Sequence, residues 1–380
     1  MSAIETTPIL NDEQQTQARA LARARRRIRV ADLLIGNGYF LVLLLSGQSA
    51  ALRTWASHLA PNFYATLALY NLVFWAGYLV LTLPLSYFGD YRLEKRYGLT
   101  KQGTAGWAAD LFKGLGIGAV VGYPLLAALY AILAHVPGNW WLWALGLYTA
   151  FSIVAAAVVP VVLMPLFYKF TPLDDADLVG RLQSLAARAG AKVQGVYRWG
   201  LGEKSTQANA ALSGFGATRR IIISDTMLEG YSPDEIEAVL AHELGHQVHG
   251  DIGRFLVVNV AIAAGALYSA QRILARTSHA FALTGLADPA NLPLLLLVLG
   301  AVSLVVLPLV NGYSRRRENA ADGFALRLAT QPAALGTALV KLAGQNLADP
   351  YPPAWIEWLT YSHPALGRRV SGIRRATEVG

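Results

Sequence analysis

The sequence predicts a mainly α-helical membrane protein, with six spanning helices carrying a small cytoplasmic α+β unit. Three observations predict it. Charged residues make up 15% of the 380-residue chain and hydrophobic residues 54%, whereas a soluble chain carries roughly 25% charged residues. Mean hydropathy is +0.38. Apolar runs long enough to cross a bilayer, about 17–25 residues, alternate with polar stretches rich in arginine and lysine. The same composition excludes a disordered chain. The absence of cysteine excludes disulfides, thiolate metal sites and cysteine nucleophiles. The net charge of +8 would suit nucleic acid, but the basic residues flank apolar runs, so membrane topology is the better reading and no nucleic-acid partner is expected.

The spans fall near Ala31–Gly47, Phe63–Phe88, Gly114–His135, Trp140–Tyr168, Phe255–Ile273 and Leu292–Asn311. The first is the weakest, being short and carrying Asp32 and a Gly36-Asn37-Gly38 break; a cleaved leader is its rival reading. Trp140, Trp141 and Trp143 form an interfacial aromatic belt. Arg19, Arg23, Arg25, Arg26, Arg27 and Arg29 precede the first span, Arg92, Lys95, Arg96, Lys101 and Lys113 lie between the second and third, and Arg315, Arg316 and Arg317 follow the sixth. By the positive-inside rule both ends and the segment Lys169–Gly253 are cytoplasmic. The N-terminal arginines are read as a topology anchor near anionic lipid. Two domains follow: residues 1–168 with four spans, and residues 169–380, whose cytoplasmic parts 169–252 and 312–380 are interrupted by the last two spans.

Within the polar part, Asp175–Ala189 is helical in pattern and Gly190 suits its end. Val193–Trp199 reads as a strand, and Asn209–Gly214 with Arg219–Ser224 as a hairpin around a glycine-containing turn. Ser232-Pro233-Asp234-Glu235 announces a helix to about His249, through a serine cap, a first-turn proline and a capping box. Ser314–Thr330 continues the sixth membrane helix, and Pro332–Leu347 and Pro364–Thr377 read as further helices around a Pro350–Pro353 loop.

The chemistry starts at His242-Glu243-Leu244-Gly245-His246, on the helix that the capping argument predicts. Histidines four apart differ by roughly 40° around a helix, so both imidazoles reach one ion. Zinc with nitrogen ligands acidifies water, and Glu243 lies on the side where it would take the proton. A catalytic zinc, one per chain, needs a third protein ligand. The chain re-emerges on the same face after the sixth span, where the first acidic residue is Glu318; its rival role is to balance Arg315–Arg317. Asp322, one turn on, is a candidate acceptor for a ligand imidazole N–H or a plain surface acid. His249 and Asp251 are close enough to compete as ligands, although His249 sits at an awkward angle.

These residues bring a resemblance into view. Most of the chain resembles the type I CAAX prenyl proteases, integral-membrane zinc metallopeptidases of the gluzincin group, and their bacterial relatives. The matching segments are Glu94–Thr100, Pro165–Leu173, Asn209-Ala210 through Gly214-Phe215-Gly216 to Ile221, Asp225–Leu228, His242–His246, Glu318–Asp322 and Ser362-His363-Pro364. The resemblance implies membrane helices around a chamber, with a zincin-like catalytic unit at the bilayer. It implies that His242, His246 and Glu318 bind zinc, that Glu243 is the base and that Asp322 supports a ligand. It implies that His363 and Arg369 donate to the substrate carbonyl or oxyanion, their rival role being a tail interaction. Asn209, Ala210 and Leu212 would lie along the substrate, on an edge strand that pairs with an extended peptide. Ala211-Leu212 replaces the family's usual aromatic, and six spans stand where eukaryotic members have seven.

The function expected is hydrolysis of peptide bonds in membrane-associated or lipidated, CAAX-like proteins, at the cytoplasmic face of a bacterial inner membrane. A general quality-control protease using the same site is the alternative. A scaffold or transporter is a third reading; it would put ionisable residues at the bilayer midplane, whereas the candidate ligands here all sit at span ends.

Overall fold

A computed structural model describes residues 9–214, 219–277 and 280–379. Among them, six helices are long and apolar enough to cross a membrane. The first, α1 (Asp12–Leu45), is capped by Asn11, whose side chain accepts from the Gln14 amide. It runs unbroken through Gly36-Asn37-Gly38, where a break was expected. Asn37 donates to the Leu33 carbonyl one turn back, and Gly36 admits the Tyr78 ring from α3 (Phe63–Ser86). A Cβ at Gly36 would lie 3.2 Å from the Tyr78 ring, and one at Gly77 2.7 Å from the Tyr39 hydroxyl. Small residues here make a packing seam, as is common between helices in lipid.

The stretch between the first two spans, expected to be a loop, is the helix α2 (Gln48–Leu59) packed on α3. After Pro84, α3 continues as π-helical turns Tyr87–Leu93 and the short α4 (Glu94–Arg96). Then come α5 (Thr104–His135) and α6 (Trp140–Val158). The fourth span was expected to run to Tyr168. Regular α-helix stops at Val158 because Pro160 and Pro165 lack amide donors, and the backbone widens into π-helical turns over Val159–Leu163 before tightening to a 3₁₀ turn at Met164–Leu166.

The polar unit begins with β1 (Phe170–Pro172), α7 (Ala176–Arg188) and β2 (Val196–Trp199). The last is shorter than the predicted strand. The hairpin is β3 (Ala210–Ser213) against β4 (Arg220–Ser224), antiparallel; its turn, with Phe215 and Gly216, lies outside the described residues. Strand order is β1-β2-β4-β3, with β2 and β4 parallel, so β3 is an edge strand. A short α8 (Asp225–Gly230) leads into α9 (Pro233–Val248), which carries the predicted capping box and ends before Gly250 at φ +66°. The spans α10 (Asp251–Thr277) and α11 (Leu292–Leu328) follow, then α12 (Ala334–Gln345), α13 (Ala354–Thr360) and α14 (Leu366–Val379). Neither α8 nor α13 was anticipated.

The core of this unit packs Leu182 and Leu185 of α7 with Ile221 and Ile223 of β4, Leu240 and Leu244 of α9, Leu339 of α12 and Val370 of α14. Lipid-facing residues differ: Leu304, Val305 and Leu309 of α11 are exposed, which is stable only with hydrocarbon around them. At 1.5 Å per residue the 37-residue α11 is about 55 Å long, and about 30 Å of that suffices for a bilayer core. The remainder carries Glu318 and Asp322 out to meet α9.

Those two helices meet at Gly245. A Cβ there would stand 3.0 Å from the Ala321 Cα and 3.2 Å from its carbonyl oxygen, so a side chain must force the backbones apart. Gly245→Val is expected to leave the protein inserted in the membrane but to lower bound metal per chain at least about tenfold, since ligands displaced by even 1 Å lose productive geometry. Elemental analysis of the purified variant checks this.

Candidate active site

Burial of one face of α9 turns His242 and His246 toward α11. The two Nε2 atoms lie 3.2 Å apart. Glu318 completes a triangle, with Oε2 3.4 Å from His242 Nε2 and Oε1 3.3 Å from His246 Nε2. Among the described residues this is the group of histidine and acidic side chains close enough to hold a metal ion. Glu318 Oε2 is buried and has no hydrogen-bond donor, a cost that burial imposes unless a cation meets it. Of the rival roles for Glu318, balancing Arg315–Arg317 is not what the geometry displays: Arg315 donates to the carbonyls of Glu357 and Tyr361, and Arg317 pairs with Asp251.

Each imidazole has its own carboxylate behind it. His242 Nδ1 is 2.8 Å from Asp322 Oδ1, and His246 Nδ1 is 2.8 Å from Asp251 Oδ2. Such contacts fix the tautomer that presents Nε2 and raise the ring's basicity. Asp251 thus stands behind a histidine and does not compete for the ion, while His249 turns away to pack its ring edge-on to Phe324 at 5.8 Å. The sequence had offered Asp251 as a competing ligand and not as this support. The signal was there in its position, the first residue of the helix that begins just past His246.

Arginines hold these carboxylates in turn. Arg369 grips Asp322 with its fork, Nε to Oδ2 at 2.8 Å and Nη2 to Oδ1 at 2.7 Å, and Arg317 Nε reaches Asp251 Oδ1 at 2.6 Å. Counting Glu243, Glu318, Asp322 and Asp251 against Arg369 and Arg317 leaves two negative charges at the centre. Burial alone would push the His242 imidazolium down, but Asp322 and Glu318 draw its pKa up to about 9. The field favours positive charge at this point, and a divalent ion would supply it. Burial raises the Glu243 carboxyl above its ordinary value, with His242 and His246 opposing the rise.

His363 approaches from the other side, its Nε2 3.2 Å from Glu318 Oε1 and its Nδ1 2.9 Å from the Ser362 hydroxyl. The turn carrying it is pinned by the buried Glu357 of α13, which accepts from the Ala365 amide at 2.9 Å and pairs with Arg368. No sequence motif marked Glu357. His363, Arg369 and Asn209 all line one cavity of about 750 Å³, within the range of ligand pockets. Asn209 immediately precedes β3, its amide held by the Ser224 hydroxyl at 2.9 Å. Ala210 faces the core, while Leu212 is half-buried on the same strand.

Asp251→Asn keeps the shape of the site but removes the charge behind His246. The variant is expected to hold its metal about 10–100-fold more weakly, measured by competition with a chelator of known affinity.

Comparison with known proteins agrees with this geometry. The model of peptidase family M48 matches residues 172–377, and that described as the CAAX prenyl protease N-terminal region, five membrane helices, matches residues 4–169. The metalloprotease YhfN of Bacillus subtilis is 30% identical over 87% of this chain and 78% of its own length. CAAX prenyl protease 1 of Saccharomyces cerevisiae is 27% identical over 79% of this chain and 70% of its own. The crystal structure of S. mikatae Ste24p shares the fold, with a TM-score of 0.87 over 98% of this chain and 91% of that one at 24% identity. With nearly all of its length taken up by the two family matches, this multi-pass membrane protein belongs to the M48 metalloproteases, in the branch built like the CAAX prenyl proteases.

Proposed function

We propose that the chain is a zinc endopeptidase that cuts membrane-associated, lipid-modified proteins at the cytoplasmic face of a bacterial inner membrane. The observation that carries the zinc reading is the spacing of the three candidate ligand atoms, 3.2, 3.3 and 3.4 Å. Nitrogen and oxygen ligands about 2.0–2.1 Å from one tetrahedral ion stand about 3.3–3.4 Å apart, whereas octahedral angles bring them to about 3.0 Å. Two imidazoles with one carboxylate and no thiolate is also a zinc hydrolase donor set. His242, His246 and Glu318 would hold the ion, with Asp322 and Asp251 orienting the imidazoles.

A bound divalent ion would polarise the scissile carbonyl and make water acidic near neutral pH. The rest falls to the chain. Glu243, its carboxyl raised by burial, accepts the proton of the attacking water and delivers it to the leaving amine. His363, largely exposed to the cavity beside Glu318, donates to the carbonyl oxygen as negative charge develops there. Arg369 acts by holding Asp322, since its fork is occupied by that carboxylate. An extended peptide added to the edge strand β3, past Asn209, Ala210 and Leu212, would be gripped by main-chain hydrogen bonds whatever its sequence.

Two features support a lipidated substrate. Several relatives carry the name CAAX prenyl protease 1. An apolar cavity of about 490 Å³ also opens between α5, α6, α10 and α11, lined by Leu125, Leu129, Phe151 and Ile262. The cytoplasmic orientation rests on the arginine runs that flank the spans.

Glu243→Gln is expected to retain one ion per chain and to lose about 10²–10⁴-fold in turnover, read from elemental analysis and peptide cleavage together. Stripping the wild type with a chelator should abolish cleavage, and one equivalent of zinc should restore it. Farnesylated and unmodified versions of one peptide test the substrate. The farnesylated form is expected to have the higher kcat/KM, and equal values would favour general quality control.

A further inference from the structure

The segment Glu94–Thr100 is one of the stretches that carry the family resemblance, yet nothing in the hydrolytic site uses it. It comprises α4 and the turn that leads from the membrane helices toward the catalytic unit. Gly98, at φ +69°, closes that helix. Its amide bonds back to the Lys95 carbonyl at 3.2 Å, and the Leu99 amide to the Glu94 carbonyl at 2.9 Å. Leu99 is thereby turned inward, where it packs with Leu21 of α1 and Leu347 just past α12.

Beyond Gly98 the chain runs antiparallel to the lead-in of β3, with Thr100 opposite Ser205. The Lys101 amide donates to the Lys204 carbonyl at 2.9 Å, and the Thr206 amide to the Leu99 carbonyl at 3.2 Å. Three hydroxyls add to this, Thr100 donating to the Lys204 carbonyl, Ser205 to that of Leu99 and Thr206 to that of Gly98, each at 3.0 Å. Lys204 also pairs with Asp110 of α5 at 2.5 Å. From the catalytic unit, Thr226 and Asn346 hold Gln207 and Ala208. Asn209 comes next, and β3 begins directly after it.

The strand β3 has four residues and is hydrogen-bonded to the sheet along β4 alone. Its outer edge is the one a peptide would join, so the placement of that edge depends on what holds the strand's ends. The end before Asn209 is held in large part from the membrane domain. None of Gly98–Lys101 lines the cavity shared by Asn209 and His363.

We propose that Gly98 and the segment Leu99–Lys101 position the peptide-binding edge, fixing β3 from the membrane domain so that an extended substrate is held firmly. This rests on the peptidase reading above and deepens it, since the segment acts through β3 and touches neither peptide nor ion. Its signature is a rise in KM at unchanged kcat. Main-chain pairing along an edge strand grips the peptide in the ground state and in the transition state alike.

Gly98 allows a test that leaves packing undisturbed. It is exposed and a Cβ there meets nothing within 4 Å, so only its left-handed backbone resists a side chain. Valine is strained in that conformation, whereas asparagine tolerates it. The full-length protein is assayed in neutral detergent, with whichever of a farnesylated and an unmodified peptide wild type cleaves better. Gly98→Val is expected to keep one zinc ion per chain and kcat within about twofold, and to raise KM at least about tenfold. Gly98→Asn should return KM to within about twofold of wild type. Should Gly98→Val not insert in the membrane, the Thr100→Val, Thr206→Val double variant removes two of the hydroxyl bonds and is expected to raise KM at least about threefold at constant kcat. A fall in kcat at unchanged KM, loss of the ion, or equal damage from valine and asparagine would overturn the positioning role and leave the peptidase intact. So would a wild-type KM in Gly98→Val, or in the double variant where that one stands in. Cleavage of neither peptide by wild type would overturn the peptidase reading, and this one with it.

Discussion

Where α9 crosses α11, the only space between the backbones at Gly245 is the width of a missing side chain, with Ala321 filling the other side. The two helices come from stretches of chain separated by a pair of membrane spans, and this close approach turns two imidazoles and a carboxylate into neighbours 3.2–3.4 Å apart. Everything else in the polar unit serves that crossing. The core of α7, β4, α12 and α14 clamps α9 from behind, and the extension of α11 beyond the bilayer supplies its other half.

Bringing so many ionisable groups together would be ruinous if each were left alone. The arrangement avoids this by layers of alternating sign: a candidate cation site at the centre, carboxylates Asp322 and Asp251 behind the imidazoles, and guanidinium groups of Arg369 and Arg317 behind the carboxylates. The members of the layers come from α9, α10, α11 and α14, so the ring also cross-links the unit. Removing an outer member strands an inner charge, which is why the effects of such substitutions exceed the value of the contact itself.

Much of this was legible in the sequence, for identifiable reasons. The capping box at Ser232 and Glu235 announces α9 because it is a local chemical device, and it forms as read. The spans were legible because hydrocarbon demands long apolar runs, and the histidine pair because its period matches the helix. What escaped notice depends on contacts between distant segments. Gly36-Asn37-Gly38 looks like a break until Tyr78 is seen to need the space. The stretch of α2 carries no helix signal strong enough to be read alone, because its partner surface on α3 is invisible locally. Asp251 and Glu357 gain their meaning from groups far along the chain or around a turn, His246 and Ala365 respectively, and carry no motif of their own.

The division of the site between α9 and the far end of α11 has a consequence for biogenesis. As the ribosome delivers the chain, residues up to Val248 hold both imidazoles and Glu243, but the acid that joins them arrives only after α10 and α11 have threaded out through the lipid and back. Until that passage is complete there is nothing to gather the ion. The three candidate ligands therefore become neighbours only when both spans and the stretch of α11 beyond them are in place.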